Sequence, residues 1–226
     1  MMRVHNDRYK WYILALVVVT DMFVVAIPGM ALPVLAKEIS VDLRLNLVQV
    51  GIMWGVGALP GIVTSLLGGM IGDKFGPRRV LVAGLLIAGL LGMARGFAVD
   101  FASMTILLVL LGAVTPVVMT NGFKAVGQWI PSRQLGLANG VISMSMALGF
   151  LLGSLLSASI FSPLLGGWRN VLIAYGVIGA VFSVPWFFTK TVPTGLHSSV
   201  AAPSIWTLLK HVAGLKNIWM LGLALF

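Results

Sequence analysis

Four polar side chains lie inside long apolar stretches of this sequence, where they could bind a solute or carry a proton. Asp21 falls within the first stretch, and Asn121, Lys124 and Gln128 follow one another at intervals of three and four residues within the fourth. This spacing places the last three on one helical face. Ionisable groups inside a bilayer usually face a cavity and mark a substrate or ion pathway. These four residues are therefore our candidates for substrate or proton coupling.

Asp21 and Lys124 are expected to lie at similar depths. Asp21 follows Trp11 by ten residues and Lys124 precedes Pro131 by seven, which corresponds to about 15 Å and about 10 Å of helix. The remaining ~5 Å is within reach of a lysine side chain, so we predict that the two meet if helices one and four border the same cavity. The carboxyl group would then take up a proton when an anionic substrate draws the lysine away. The alternative is a static ion pair that only makes two buried charges tolerable.

A second group of charges occurs in the stretch "GMIGDKFGPRR" at residues 69–79, between two apolar runs. Arg78 and Arg79 have the position of cations that anchor a helix at a membrane surface. Asp73 is not explained in this way, because an anchor needs no acid. The sequence contains no nucleophile–base set, phosphate-binding loop or metal-ligand cluster, so we expect neither an enzyme nor a metal site nor a cofactor.

The composition indicates a membrane protein. Of 226 residues, 59% are hydrophobic and only 9% charged, whereas soluble domains contain about 25% charged residues. Six apolar runs are long enough to cross a bilayer core of ~30 Å as helices. They are Trp11–Leu35, Leu47–Ile71, Val80–Phe97, Ala102–Gly127, Leu135–Phe161 and Trp168–Phe188.

The cations indicate the orientation of these spans. With a cytoplasmic N-terminus, only four of the 15 lysines and arginines fall on the far side, which follows the positive-inside rule and makes a nucleic-acid partner unnecessary. The four are Lys37, Arg44, Arg95 and Arg169, and Arg95 is expected to reach water at its helix end. We divide the chain into a six-helix bundle at 1–189, a cytoplasmic linker at 190–216, and the truncated start of a seventh span at 217–226.

Small residues recur at intervals of four on two of the spans. The second carries Gly57, Gly61, Ser65 and Gly69, and the fifth carries Ser145, Gly149, Gly153 and Ser157. Each set forms one ridge on which another helix backbone can approach closely. Matching ridges three spans apart suit a bundle of two inverted three-helix repeats.

The loop motif resembles that of the major facilitator superfamily of secondary transporters. Its residues here are Gly69, Ile71, Gly72, Asp73, Lys74, Gly76, Arg78 and Arg79, with Pro77 where a cation is common. The segments "WIPSRQLGLANG" at 129–140 and "GWRN" at 167–170 resemble the family's helix 4–5 and helix 5–6 loops. The fold implied is an all-α polytopic membrane protein, here the N-terminal six-helix half.

The resemblance also implies a gating role and a partner. In the family the loop aspartate caps a helix end in the other half and engages a loop arginine, which closes the cytoplasmic side. The ridges of helices two and five would face that missing half, and the alternative is packing within this bundle. We predict a secondary transporter of the cell membrane that moves a small solute by alternating access, with a small organic or inorganic anion favoured by the helix 4–5 loop. The alternatives are a proton-coupled multidrug exporter, or a truncated half-transporter that does not transport.

Overall fold

The computed structural model describes residues 4–190, and their side chains from Arg8 onward. Every regular element in this part of the chain is helical, and six helices are long and apolar enough to cross a membrane. We name them α1 to α6 in chain order: Arg8–Asp42, Leu47–Phe75, Pro77–Arg95, Phe101–Trp129, Ser132–Leu165 and Trp168–Phe187. Apart from Lys190, the predicted linker lies outside the described residues, as does the predicted seventh span.

All six predicted spans are confirmed, and most of the helices extend beyond the apolar runs. α1 begins as helix at Val4 and passes through a π-helical segment at Asp21–Ala26. α5 contains a second π-helical segment at Ser157–Phe161. α2 continues one turn past the apolar run to Phe75, so Asp73 lies inside the last turn of the helix and not beyond its end.

Short connections join the helices at two opposite ends of the bundle. We call them the Asp73 end, where α2 passes into α3, and the Asp42 end, where α1 passes towards α2. At the first, Gly76 alone separates two helices with a φ of 81°, a backbone conformation that glycine adopts without strain. At the second, α4 begins with a reciprocal cap in which Asp100 accepts from the Ser103 N–H at 2.8 Å.

The helix pairs that pack together follow an internal symmetry. α2 packs along α4 and α5 packs along α1, while α3 packs along α6. If α1, α2 and α3 are exchanged for α4, α5 and α6 respectively, the α2–α4 pair becomes the α5–α1 pair. The α3–α6 pair is unchanged by the same exchange. α1 and α4 also run in opposite directions between the two ends. This pattern agrees with two inverted three-helix repeats.

The small-residue ridge of α2 packs against α4. For Gly57 and Gly61, the expectation that the ridge faces a second half is therefore wrong. Gly61 lies against Pro116, so that a Cβ there would be 3.1 Å from the proline ring. Gly57 and Gly112 cross so closely that a Cβ on Gly112 would overlap the Gly57 carbonyl oxygen. Ser65 is partly exposed and its hydroxyl donates to the Ile62 carbonyl oxygen at 3.2 Å.

The ridge of α5 is likewise used inside the bundle, against α1 and α6. A Cβ on Gly149 would lie 2.5 Å from Ala26 Cβ, and one on Gly153 would lie 2.6 Å from the Ile27 carbonyl oxygen. Ser145 is buried, and Ser157 shares a 2.9 Å hydrogen bond with the Tyr175 hydroxyl of α6. Since α5–α1 is the symmetry counterpart of α2–α4, both ridges serve the same close contact between repeats.

Candidate functional site

Asp73 and Lys124 form an ion pair at the Asp73 end. Lys124 Nζ lies 2.6 Å from Asp73 Oδ1 and also donates to the Gly69 carbonyl oxygen, so that one lysine joins α4 to the last two turns of α2. The side chains are 29% and 68% exposed, and a pair this open contributes only about 0–1 kcal/mol to stability. The contact is therefore suited to opening and closing more than to holding the fold.

The other motif residues surround this pair without joining it. Arg78 donates to the Phe187 carbonyl oxygen and lies over the Phe187 ring at 5.7 Å, which ties the start of α3 to the end of α6. Arg79 is exposed. Lys74 lies 5.3 Å from the centre of the Phe75 ring. Within residues 4–190, the acid of the motif thus pairs with a lysine of α4 and not with a loop arginine.

Asp21 is buried in α1, but the predicted contact with Lys124 is wrong because that lysine is held by Asp73. The Asp21 side chain is 2% exposed, and its Oδ2 has no hydrogen-bond partner among the described residues. It stands at the start of the π-helical segment of α1. Among the residues that the structure describes, Asp21 therefore forms no ion pair with Lys124, in contrast to the static pair considered above.

Neither Asn121 nor Gln128 belongs to the Asp73–Lys124 ion pair. Asn121 is fully buried and its Nδ2 donates to the carbonyl oxygens of Gly68 at 2.9 Å and Val117 at 2.8 Å. It also fills the space left by Gly72, since a Cβ there would overlap Asn121 Oδ1. This amide fastens α4 to α2. Gln128 is half-buried near the end of α4.

A cavity of about 440 Å³ lies towards the Asp42 end and is lined by residues of all six helices. This volume falls within the ~300–1,000 Å³ typical of small-molecule sites. Its wall is mainly apolar, with Trp54, Phe150 and Tyr175 as aromatic members. Glycines of α3 and α6 also line it, and these two helices touch closely through Gly89 and Gly176. The bundle thus contains a pocket suited to a small, largely apolar ligand.

Arg95 is the one charged residue in the lining of this cavity within residues 8–190. The sequence suggested that it reaches water from its helix end, but the side chain is 3% exposed and its Nε has no hydrogen-bond partner within the described part of the chain. Its Nη2 turns back along α3 towards Gly92, as helix side chains do by pointing towards the N-terminus. The structure therefore places a buried cation in the pocket, where sequence reasoning expected a surface anchor.

Two signals in the sequence could have located this site. The glycines at 89 and 92 on α3, the one at 96 directly after its end, and those at 176 and 179 on α6 occur at helical spacings that permit a close crossing. Arg95 is the last residue of α3, and Asp100, which caps α4, follows it by five residues. This acid therefore lies beyond the end of the helix that carries Arg95.

The six membrane-length helices make this a multi-pass membrane protein. A family model described as the Major Facilitator Superfamily matches residues 14–226. The chain belongs to the Major Facilitator Superfamily.

Several curated relatives are similar to this chain. A probable sulfoacetate transporter of Cupriavidus necator is 28% identical over 184 residues, which cover 81% of this chain and 42% of the relative. A hexuronate transporter of Bacillus subtilis is 26% identical, over 72% of this chain and 38% of the relative. A 4-hydroxybenzoate transporter of Pseudomonas putida is 29% identical, over 76% and 38% respectively. The chain spans about two fifths of the length of these relatives.

Proposed function

We propose that this chain forms the N-terminal half of a secondary transporter that moves a small organic anion by alternating access. The observation that carries the proposal is the intrabundle cavity in which, among the lining residues that the structure describes, the only charged one is a cation. Hexuronate and 4-hydroxybenzoate, named for two of the relatives, each carry one carboxylate, and sulfoacetate, named for the third, carries a sulfonate beside its carboxylate. A buried cation facing a cavity is the feature that recognition of such an anion requires.

Alternating access requires a second six-helix bundle, against which this one rocks. In this proposal the Asp73–Lys124 pair holds α2 and α4 together at the Asp73 end in one state. Its exposure makes it sensitive to a neighbouring bundle that offers competing partners. We further propose that the Asp73 end is cytoplasmic in the cell membrane, since the Asp42 end carries only the four cations named above.

Asp21 is the proposed proton-coupling residue. Among the described residues it is the one acid that is buried in the middle of a membrane-length helix, and none of their cations forms an ion pair with it. A carboxyl group in such a place can be occupied by a proton on one side of the membrane and released on the other. The proton gradient would then drive anion movement.

The proposal is tested by transport into proteoliposomes that contain the complete protein encoded with this chain. Uptake of radiolabelled sulfoacetate, glucuronate and 4-hydroxybenzoate is measured with an imposed pH gradient, with glucose as the uncharged control. We expect uptake of at least one anion above that of protein-free liposomes and none of glucose. Uptake of none of the anions by protein that remains folded would refute the proposal.

A further inference from the structure

We propose that Arg95 binds the negative charge of the transported anion directly, and that its cavity selects anions with one charged group on an apolar or aromatic body. That the bound anion is also the transported one rests on the proposed function. The binding itself is a separate property of the cavity and is tested separately below.

The first support is that no acid among the described residues forms an ion pair with Arg95. Three acids at the Asp42 end have other partners. Asp42 pairs with Arg169 at 2.9 Å, Glu38 accepts from the Ser162 hydroxyl at 2.6 Å, and Asp100 caps α4. A buried guanidinium without an acid or a hydrogen bond is costly. Its persistence in a cavity is therefore explained by a ligand that supplies the missing negative charge.

The second support is the position of the guanidinium within the pocket. Arg95 is the last residue of α3, where the helix dipole favours a cation. Its Nη2 would lie 3.9 Å from a Cβ on Gly92, so that the group lies along the glycine-lined contact of α3 with α6. A planar guanidinium offers two parallel N–H groups that match the oxygens of a carboxylate or sulfonate.

The third support is the chemistry of the remaining wall. Besides Arg95, no charged side chain occurs among the lining residues that the structure describes. The Thr115 hydroxyl is already bonded to the Leu111 carbonyl oxygen at 2.9 Å, and the Tyr175 hydroxyl to Ser157. Trp54 and Phe150 present rings to the same space. One cation in an apolar wall accommodates one anionic group, because a second would be buried without a partner.

The inference predicts an unusual combination of effects for Arg95. A residue that serves the fold lowers stability when it is removed. An uncompensated buried cation that serves a ligand lowers stability while it is present. Replacing Arg95 by an apolar residue of similar length should therefore raise the stability of the unliganded protein while it removes anion binding.

The test uses the complete protein purified in detergent and three aromatic probes. Benzenesulfonate carries one permanent charge, benzene-1,3-disulfonate carries two, and benzenesulfonamide is neutral at pH 7. Binding is measured by ligand-induced change in melting temperature and by tryptophan fluorescence. The variants are Arg95→Met and Arg95→Lys, with Arg169→Met as the matched control because Arg169 lies at the same end but is paired with Asp42.

We expect benzenesulfonate to bind the wild type and to raise its melting temperature. The disulfonate and the sulfonamide should bind at least about tenfold more weakly, a difference of the size that loss of a charged hydrogen bond implies. Arg95→Met should weaken benzenesulfonate binding by about tenfold or more and melt higher than wild type without ligand. Arg95→Lys should keep part of the affinity, since it keeps the charge but loses the planar fork. Arg169→Met should melt lower and bind as wild type does.

Unchanged benzenesulfonate affinity in Arg95→Met would overturn the inference, as would a lower melting temperature of that variant together with equal loss of all three probes. Equal affinity for the disulfonate would overturn the selectivity for one charge. These outcomes are independent of the proposed function: anion uptake that survives in Arg95→Met refutes only the role of Arg95, and binding without any uptake refutes only transport.

Discussion

Lys124 of α4 reaches Asp73 of α2 at 2.6 Å and binds the Gly69 carbonyl oxygen one turn earlier on the same helix. The two residues are 51 positions apart in the chain and belong to different three-helix repeats. Their contact therefore reports the relative position of the repeats at one end of the bundle. Asn121, one turn before Lys124, makes the buried counterpart of this contact with Gly68.

Asp73→Asn is expected to reduce transport by roughly fivefold or more, since a gate contact of about 1 kcal/mol changes an equilibrium by about that factor. The stability of the bundle should change by less than about 1 kcal/mol, because the pair is exposed. Lys124→Gln should have the same effect, and the double variant should be no worse than either single variant. Transport and abundance in the membrane are measured together. Undiminished transport at normal abundance would exclude the gating role.

Gly112→Ala is expected to destabilise the bundle, because the added Cβ would overlap the Gly57 backbone of α2. Overpacking of this kind costs about 1–3 kcal/mol. Gly127→Ala is the matched control on the same helix, where nothing lies within 4 Å of the added carbon. It should be neutral or slightly stabilising. Melting of the purified protein checks both, and equal melting of the two variants would contradict the close crossing of α2 and α4.

Asp21→Asn is expected to abolish uphill transport driven by a pH gradient while it leaves exchange of the anion across the membrane intact. The reason is that the amide retains the size of the side chain but cannot take up and release the proton. Uptake under an imposed gradient and exchange without one are compared with wild type. A variant that keeps both uphill transport and its pH dependence would show that coupling occurs elsewhere.

The sequence predicted the six spans and the positions of the two small-residue ridges, because both depend on local periodicity. The partner of each ridge was not predictable in the same way. Gly57 and Gly149 face helices that are distant in the chain. The family resemblance had predicted that they face a second six-helix half. The register of α2 against α4 decides which residues they touch, and that register is set by Gly112, Pro116 and Asn121 on the other helix.

The cap that Asp100 forms at the start of α4, outside the membrane-spanning segments, can be tested by its pH dependence. Hydrogen bonds from Ser103 lower the pKa of this carboxyl group below its usual range. A lowered folded-state pKa means that the cap stabilises the protein above the unfolded-state value of about 3.9 and that this contribution is lost as the pH falls through the folded-state value. Asp100→Ala should thus melt below wild type at pH 7, with a gap that narrows under strongly acidic conditions. A gap that is independent of pH would contradict the charged cap, and Asp100→Asn, which keeps an acceptor without titrating, is the control.

The candidate site was the least predictable part of the molecule. Sequence reasoning found the buried acid at Asp21 from its depth, but assigned Lys124 to it when the lysine had a nearer partner in Asp73. It placed Arg95 in water because the residue ends a helix. Only the tertiary packing shows that Asp42 is committed to Arg169 and that Arg95 lines a cavity formed by all six helices.

The central claim, that the protein is a carrier for a small organic anion, is tested most directly by counterflow. Proteoliposomes that contain the complete protein are loaded with unlabelled benzenesulfonate and diluted into a trace of the labelled anion, with no ion gradient. A carrier that exposes one site alternately to the two sides gives a transient accumulation of label above its equilibrium level, and we predict this overshoot for the wild type. Label that only approaches the level of protein-free liposomes, with folded protein present and the anion bound to it, would contradict the claim.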